Sequence, residues 1–230
     1  AVDLNIFRRG GGVCFPLYVY LDSEVGETAH GLAWEVSARG RYPNLSRAFV
    51  AAFAERLGLR FLTEGRGDLL STFGPEDIFC YSYAILHSPS YRARYAEFLK
   101  LDFPRLPPPQ DLPTFRRLAE IGGRLVALHL LKQAPSTRPN FPVSGDNRVG
   151  RRHPRYAEGR IYLNERQYFE GVSEAVWRFQ IGGYQVAEKW LKERRERALN
   201  YDELEHYRSV VGVLAETLAL MAEIDAIEWR

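Results

Sequence analysis

The sequence predicts an α+β fold, with a helical scaffold built on long antiparallel helices and a smaller strand-and-loop portion. Three observations carry this. Residues 113–132 hold Leu118, Ile121, Leu125 and Leu128 at 3-4-3 spacing, and Leu204, Tyr207, Val211, Leu214, Leu218 and Met221 repeat at 3-4-3-4-3, so each segment presents one apolar seam to a lengthwise partner. Between them, 134–159 is rich in Pro, Ser, Asn, Gly and Arg and has almost no apolar periodicity. Short alternating runs follow it. The 230 residues, 46% hydrophobic and 26% charged, suffice for a substantial core, and no apolar run approaches the roughly 18 residues that would span a bilayer.

The elements follow in order. Residues 13–21, aromatic and β-branched behind Gly10-Gly11-Gly12, predict a strand, and Pro16 restricts it to an edge or a bulge. Residues 22–43 are polar and irregular, with Arg39-Gly40-Arg41-Tyr42-Pro43 an exposed loop. Asn44 or Ser46 caps a helix whose Phe49, Val50, Phe53 and Leu57 form one stripe ended by Gly58. Pro75 starts a second helix that runs to about His87. Ser88 caps a third, with Tyr91, Tyr95 and Phe98 on one face. Leu106-Pro107-Pro108-Pro109 is a stiff connector, because prolines cannot continue a helix. Arg160–Asn164 and Val176–Ile181 alternate as strands, the second with Trp177, Phe179 and Ile181 on one face. Gly182-Gly183 then breaks the chain before an amphipathic helix from Tyr184 to about Arg197. Asn200, with Glu203 three residues on, caps the last helix as a capping box.

Several chemistries are missing from the sequence. It holds no Gly-x-x-x-x-Gly-Lys-Ser/Thr loop for nucleotide phosphates, and Arg9-Gly10-Gly11-Gly12 precedes its strand where a dinucleotide-binding turn follows one. No Asn/Asp-Pro-Pro-Tyr/Phe segment of an amino-methyltransferase occurs, and Pro107-Pro108-Pro109 lacks both the amide and the aromatic. The residues two before Lys100, Lys132, Lys189 and Lys192 are Phe98, Leu130, Ala187 and Trp190, so a restriction-type nuclease site is missing. Gly171-Val172-Ser173-Glu174-Ala175 fails the nucleophile-elbow pattern at its last position. His87 and His129 fall on helical faces as packing residues, and His206 has no second ligand at metal spacing. Cys14 and Cys80 have no zinc or disulfide-framework spacing and fit buried thiols in a reducing cytoplasm. The segment is therefore expected to be non-enzymatic, with no catalytic residue, no metal site and no cofactor of its own. It opens Ala1-Val2-Asp3-Leu4, without a signal-peptide pattern, and is expected to be a piece of a longer polypeptide.

Charge points to a different kind of partner. Only four of the 31 cationic side chains are lysine, and arginine's planar fork suits phosphates and guanine edges. The net charge is only +2, yet the window 138–160 sets Arg138, Arg148, Arg151, Arg152, Arg155 and Arg160 against Asp146 and Glu158, with His153 and Tyr156 interleaved. Such a loop can mould to a phosphate backbone, although a solvated basic loop without a ligand has the same composition. Arg148, Arg151, Arg152, His153, Arg155 and Tyr156 are the first set of candidate DNA contacts. A helix start at Gly182-Gly183 would point free amides at a phosphate. Gln180 or Gln185 would read adenine's N6/N7 edge, and Tyr184 and Lys189 would lie on the first turns. Arg8, Arg9, Arg39 and Arg41 repeat the argument more weakly.

Certain segments resemble a known family. Thr72-Phe73-Gly74-Pro75-Glu76-Asp77-Ile78-Phe79, Tyr83 through Arg92, Tyr95 through Lys100 and Asp102-Phe103-Pro104-Arg105 are similar to the C-terminal part of type ISP restriction–modification enzymes. So are Tyr162-Leu163-Asn164, Tyr168 through Val172, Val176-Trp177, and Ile181-Gly182-Gly183-Tyr184-Gln185-Val186 through Lys192. The match runs in order from about Pro16 to Asp225 and is poorest in 134–159, where a target-reading loop should differ. In that family one polypeptide carries a nuclease, a helicase-like motor, an adenine methyltransferase and a final specificity domain.

The resemblance implies that residues 1–230 are that last part, a target-recognition domain. It would comprise 1–43 as a leading strand and loop, 44–133 as its helical part, 134–183 as its DNA-reading loop and strand part, and 184–230 as its C-terminal helices. It implies double-stranded DNA and the adjacent methyltransferase domain as partners, a cytoplasmic protein with no membrane contact, and S-adenosylmethionine and ATP with Mg²⁺ on other domains of the parent protein. The helical seams leave open a second reading, a scaffold or spacer that docks on the methyltransferase or another subunit.

Overall fold

In the computed structural model, residues 15–20, 34 and 37–228 are described. Among them are seven helices and nine short strands, a helix-dominated α+β arrangement. The strands are β1 (Tyr18–Tyr20), β2 (Arg41–Pro43), β3 (Arg60–Phe61), β4 (Thr72–Phe73), β5 (Arg155–Ala157), β6 (Arg160–Tyr162), β7 (Tyr168–Glu170), β8 (Gln180–Ile181) and β9 (Tyr184–Gln185). The helices are α1 (Arg47–Leu57), α2 (Pro75–His87), α3 (Pro89–Arg94), α4 (Leu112–His129), α5 (Glu174–Arg178), α6 (Val186–Lys192) and α7 (Tyr201–Asp225). The described residues up to Leu86 and Glu97–Gly123 form one compact unit, and His87–Ala96 with Arg124–Ile227 form a second. None of the helices is long and apolar enough to cross a membrane.

The first unit is closed around aromatic rings. Phe53 of α1 meets Phe115 of α4 at 5.4 Å between centroids, Tyr81 of α2 meets Phe115 at 5.5 Å, and Phe73 of β4 lies 5.2 Å from Phe61 of β3. Ser46 caps α1 by accepting from the Phe49 amide, and Gly58 ends it in the left-handed region at φ 66°. Val50, Phe53 and Leu57 of the α1 stripe are buried, whereas Phe49 is exposed. Beneath α2, the buried carboxylate of Asp77 accepts from Arg66 Nε (2.9 Å), Gly67 N (2.6 Å) and Gly74 N (2.9 Å), fixing the turn before the helix. Cys80 is a buried free thiol whose pKa burial pushes up; Cys14 lies outside the described residues. A Cβ on Gly122 of α4 would stand 1.9 Å from the Cys80 carbonyl, so glycine is what lets these two helices approach.

The second unit packs its short elements on α7. Strands β5, β6 and β7 form an antiparallel meander, with Tyr156 opposite Ile161 and Ile161 opposite Phe169. Their inward side chains, Ile161 and Phe169, share one core with Val176 of α5, Leu191 of α6 and Leu204, Tyr207, Val211 and Leu214 of α7. The first two-thirds of the α7 seam therefore buries against the meander and short helices. The long helices meet at the far end, where Arg124 lies near Glu216 (3.9 Å) and Glu223 (3.6 Å) and His129 Nε2 is 2.9 Å from Thr217 Oγ1. The Asn200 capping box is present as expected. Ser88 caps α3, whose first turn is also bound by Asp225 at the end of α7 through Ser88 Oγ (2.5 Å) and Ser90 N (3.0 Å). Helix α3 stops at Arg94, so Tyr95 is its C-cap and Phe98 lies in a separate 3₁₀ turn.

Three expected elements are replaced. Arg39–Pro43, expected as an exposed loop, holds β2, which pairs with β1 and buries Tyr42. Val176–Ile181 is not a strand: residues 174–178 are helical because Ser173 accepts from the Val176 amide and Glu174 pairs with Arg178 one turn on at 2.7 Å. Nor does a helix begin at Tyr184. Gly182 and Gly183 both hold positive φ (59° and 82°), a two-residue turn whose twist suits a hairpin, so Tyr184 and Gln185 pair back on Ile181 and Gln180. The helix starts only at Val186 and ends at Lys192.

Candidate nucleic-acid interface

The basic window is irregular but firmly held. Gln167, buried at the end of the β6–β7 turn, donates through Nε2 to the Val143 carbonyl (3.1 Å) and Asn147 Oδ1 (2.8 Å). Its Oε1 accepts from the Asn147 amide (2.9 Å) and Asn164 Nδ2 (3.0 Å). The next residues add a backbone ladder, with Val149 N donating to Arg197 O, Gly150 N to Leu163 O and Leu199 N to Asn147 O. Further back, Arg208 Nε donates to the Pro139 carbonyl at 2.8 Å, and Gly212 leaves room for Thr137, whose carbonyl would be 2.3 Å from an added Cβ. A segment with hardly any regular structure is thus bonded at 139, 143, 147, 149 and 150 and packed against α7 at 137, which gives it a defined frame.

On that frame the arginines divide. Arg138 pairs with Glu205, Arg160 lies 3.7 Å from Glu170 and stacks on the Tyr168 ring, and Arg148 spends an Nη1 proton on the Glu196 carbonyl. Arg148 also lines an open cleft of about 520 Å³ with Arg166, whose walls include Asp146 and Glu165. That mixed lining does not make a simple anion site. Arg151, Arg152 and Arg155 are exposed and have no carboxylate partner among the described residues; Arg155 Nε reaches only the Arg152 carbonyl. These three are the free cations of the window.

His153 and Tyr156 do not join them. His153 is 4% exposed, and burial lowers its pKa against the opposing charge of Glu165, so it is a neutral packing residue rather than a phosphate contact. Tyr156 stacks on Trp177 of α5 at 5.7 Å and donates its hydroxyl proton to the Val172 carbonyl, which occupies both its ring and its polar end. A cation that the sequence reading missed takes their place. Arg195, 42 positions on, donates to the His153 carbonyl at 2.6 Å and is exposed beside the three free arginines. No local pattern marks it, since only the fold brings residues after α6 to this turn.

The second candidate region changes its meaning. Gly182 and Gly183 form a hairpin tip and present no helix N-terminus, so the expected phosphate clamp at that point has no basis. What the turn presents is a short ribbon. Gln180 faces Gln185 across it, and Ile181 faces Tyr184. Lys189 of α6 sits 3.7 Å from the centre of the Tyr184 ring and 3.9 Å from Glu193. Gly-Gly flanked by Ile and Tyr carried this hairpin signal in the sequence.

In the first unit, Arg41 is only 15% exposed, bound to Glu64 at 2.7 Å and stacked on Tyr18 at 3.9 Å, which makes it a structural arginine. Arg39 is exposed and 3.4 Å from the same Glu64. Arg8 and Arg9 lie outside the described residues.

Comparison with known proteins places this architecture. Residues 1–223 match the profile of the Type ISP C-terminal specificity domain, and the chain belongs to that family. Among solved structures it is similar to a nuclease-deletion mutant of the Type ISP restriction-modification enzyme LlaGI in complex with a DNA substrate mimic, with a TM-score of 0.52 and 27% identity over 64% of this chain and 13% of that one. It is also similar to the ATP-dependent Type ISP enzyme LlaBIII bound to DNA, with a TM-score of 0.60 and 22% identity over 94% of this chain and 14% of that one. A DrdV–DNA complex gives 0.55 and 22% over 92% and 21%. The chain thus spans between 13% and 21% of the length of these structures. A search of curated proteins returned no match.

Proposed function

We propose that this chain is a DNA target-recognition module that binds a specific double-stranded sequence and positions a target adenine for a methyltransferase domain elsewhere in its polypeptide. The observation that carries the reading is the row Arg151, Arg152 and Arg155, joined by Arg195 and held without carboxylate partners on a fixed frame. Exposed cations concentrated on one rigid segment are what phosphate contacts require, and a rigid segment keeps register on the duplex. Membership of a specificity-domain family and the DNA complexes of its relatives support it. On this reading the segment itself is non-catalytic, the protein is cytoplasmic, and S-adenosylmethionine and ATP with Mg²⁺ serve other parts of the parent restriction–modification enzyme.

The test is fluorescence-anisotropy titration with random duplexes at several salt concentrations, followed by sequencing of the bound fraction. The wild-type chain is expected to bind in a salt-dependent way and to enrich a short motif. Replacing Arg151, Arg152 and Arg155 by Ser together should weaken binding to every duplex and reduce the slope of log affinity against log salt by about 3. Unchanged affinity in that variant would remove the basic row from the interface. A second reading, docking on another domain, draws on a different observation: Leu101 and Phe103 of the first unit are 88% and 57% exposed. Absence of any salt-dependent DNA affinity would favour it.

A further inference from the structure

The β8–β9 hairpin ends in two large apolar side chains that the core does not use. Ile181 and Tyr184 are 56% and 55% exposed and are cross-strand partners immediately beside the Gly182-Gly183 turn. The base of the hairpin is anchored, because Phe179 and Val186 pack against the core of the second unit and the Val186 amide donates to the Phe179 carbonyl. Side chains alternate across a ribbon, so Ile181 and Tyr184 share one face while Gln180 and Gln185 share the other. Lys189 sits against the Tyr184 ring. An anchored ribbon with an apolar face, an amide face and a cation at its side has the groups that base edges and a phosphate would meet.

Resting on the recognition reading above, we infer that this hairpin enters the major groove of the target duplex, where Ile181 and Tyr184 contact thymine methyl groups and Lys189 meets a flanking phosphate. Width selects the groove. Two strands about 4.8 Å apart, with their side chains, fit a groove roughly 12 Å wide and not one roughly 6 Å wide. Chemistry selects the base, since the thymine C5-methyl is the apolar group exposed in the major groove. The amides on the opposite face suit a polar base edge, and Lys189 suits a polyanion better than an apolar protein surface.

The experiment uses the 230-residue chain and the duplex motif it selects. Thymines are replaced one at a time by uracil, which deletes only the methyl group. Wild type is expected to lose about tenfold in affinity at the contacted position. Ile181→Ser and Tyr184→Ser, checked for folding by circular dichroism, should bind the selected motif about tenfold less tightly and be indifferent to that uracil. Lys189→Met should weaken binding to all sequences and lower the salt slope by about 1. Wild-type binding insensitive to uracil at every position overturns the inference without any variant having to fold. Serine variants that keep both the motif and its uracil sensitivity also overturn it, and would leave the apolar tip to a protein partner. A wild-type chain that binds no duplex overturns the recognition reading and the hairpin inference together.

Discussion

In the first unit, three arginines are bound into the structure. Arg66 gives its Nε proton to the buried Asp77, Arg41 is held between Glu64 and Tyr18, and Arg116 donates twice to the Leu69 carbonyl. In the second unit, the 151–155 turn is fixed by other groups, by Arg195 on the His153 carbonyl and by the backbone around 149–150, while Arg151, Arg152 and Arg155 project without a carboxylate. Arginine count alone therefore carries no function. A guanidinium whose donors are already taken holds loops together. One standing on a frame made by something else keeps its donors for a ligand.

Of the bound arginines of the first unit, Arg66 depends on Asp77. Its carboxylate is fully buried and accepts from Arg66 and from the Gly67 and Gly74 amides, so Asp77→Ala strands three donors beneath α2. We expect a loss of about 3 kcal/mol, read by urea unfolding, as for two amide donors left without an acceptor, since Arg66 itself is partly exposed. DNA affinity of the folded fraction should not change. A loss under about 1 kcal/mol would mean that the arginine network of the first unit is decoration.

Next in size is Gly212→Ala, which tests whether the frame of the basic window is fixed. By helix propensity alone, alanine in the middle of α7 should stabilise by about 1 kcal/mol. Its Cβ would instead stand 2.3 Å from the Thr137 carbonyl and 2.8 Å from Pro135 Cγ. The expected sign is therefore destabilising, by about 1–3 kcal/mol, with faster amide exchange along 137–140. A stabilised variant would show that the segment does not lie on the helix. Arg195→Met follows, at about 1 kcal/mol for one lost hydrogen bond to the His153 carbonyl.

What the sequence disclosed follows the range of the physics involved. Caps and stripes are local, so Ser46, Pro75, Ser88 and Asn200 start helices where expected, and Leu118, Ile121, Leu125 and Leu128 are all fully buried. The alternation in 176–181 misled because the five residues after Ser173 are few enough for one cap and one ion pair to decide them. Gly182-Gly183 was legible as a break, but whether a break turns a strand back or starts a helix depends on two positive φ angles, which two glycines allow either way. The candidate site was legible as a basic window and not as a surface. Which arginines are free depends on Glu205, Glu170 and the Glu196 carbonyl, between 10 and 67 residues distant.

Replacing Arg151, Arg152 and Arg155 by Ser should change stability at pH 7.5 by less than about 0.5 kcal/mol, because these exposed side chains have no ion partner and one exposed hydrogen bond between them. The same variant should alter how stability depends on pH. His153 is buried, and its pKa lies below the ordinary 6.5 chiefly through burial, with the charge of Glu165 opposing the shift and those of Arg155 and Arg152 adding to it. A histidine depressed in the folded state binds fewer protons than its unfolded counterpart just below pH 6.5. Stability is therefore whole above that pH and declines as pH falls from 6.5 towards the folded value. Removing the two neighbouring charges raises the folded pKa and narrows this window. The variant should lose less stability than wild type between pH 7 and pH 5, measured as the difference in urea midpoint at the two pH values. His129, also depressed by burial, contributes the same acid-side loss to both proteins and cancels in that comparison. Identical losses would place the arginines too far from the imidazole to act on it, and a larger loss in the variant would mean that they help to hold the turn they were taken to decorate.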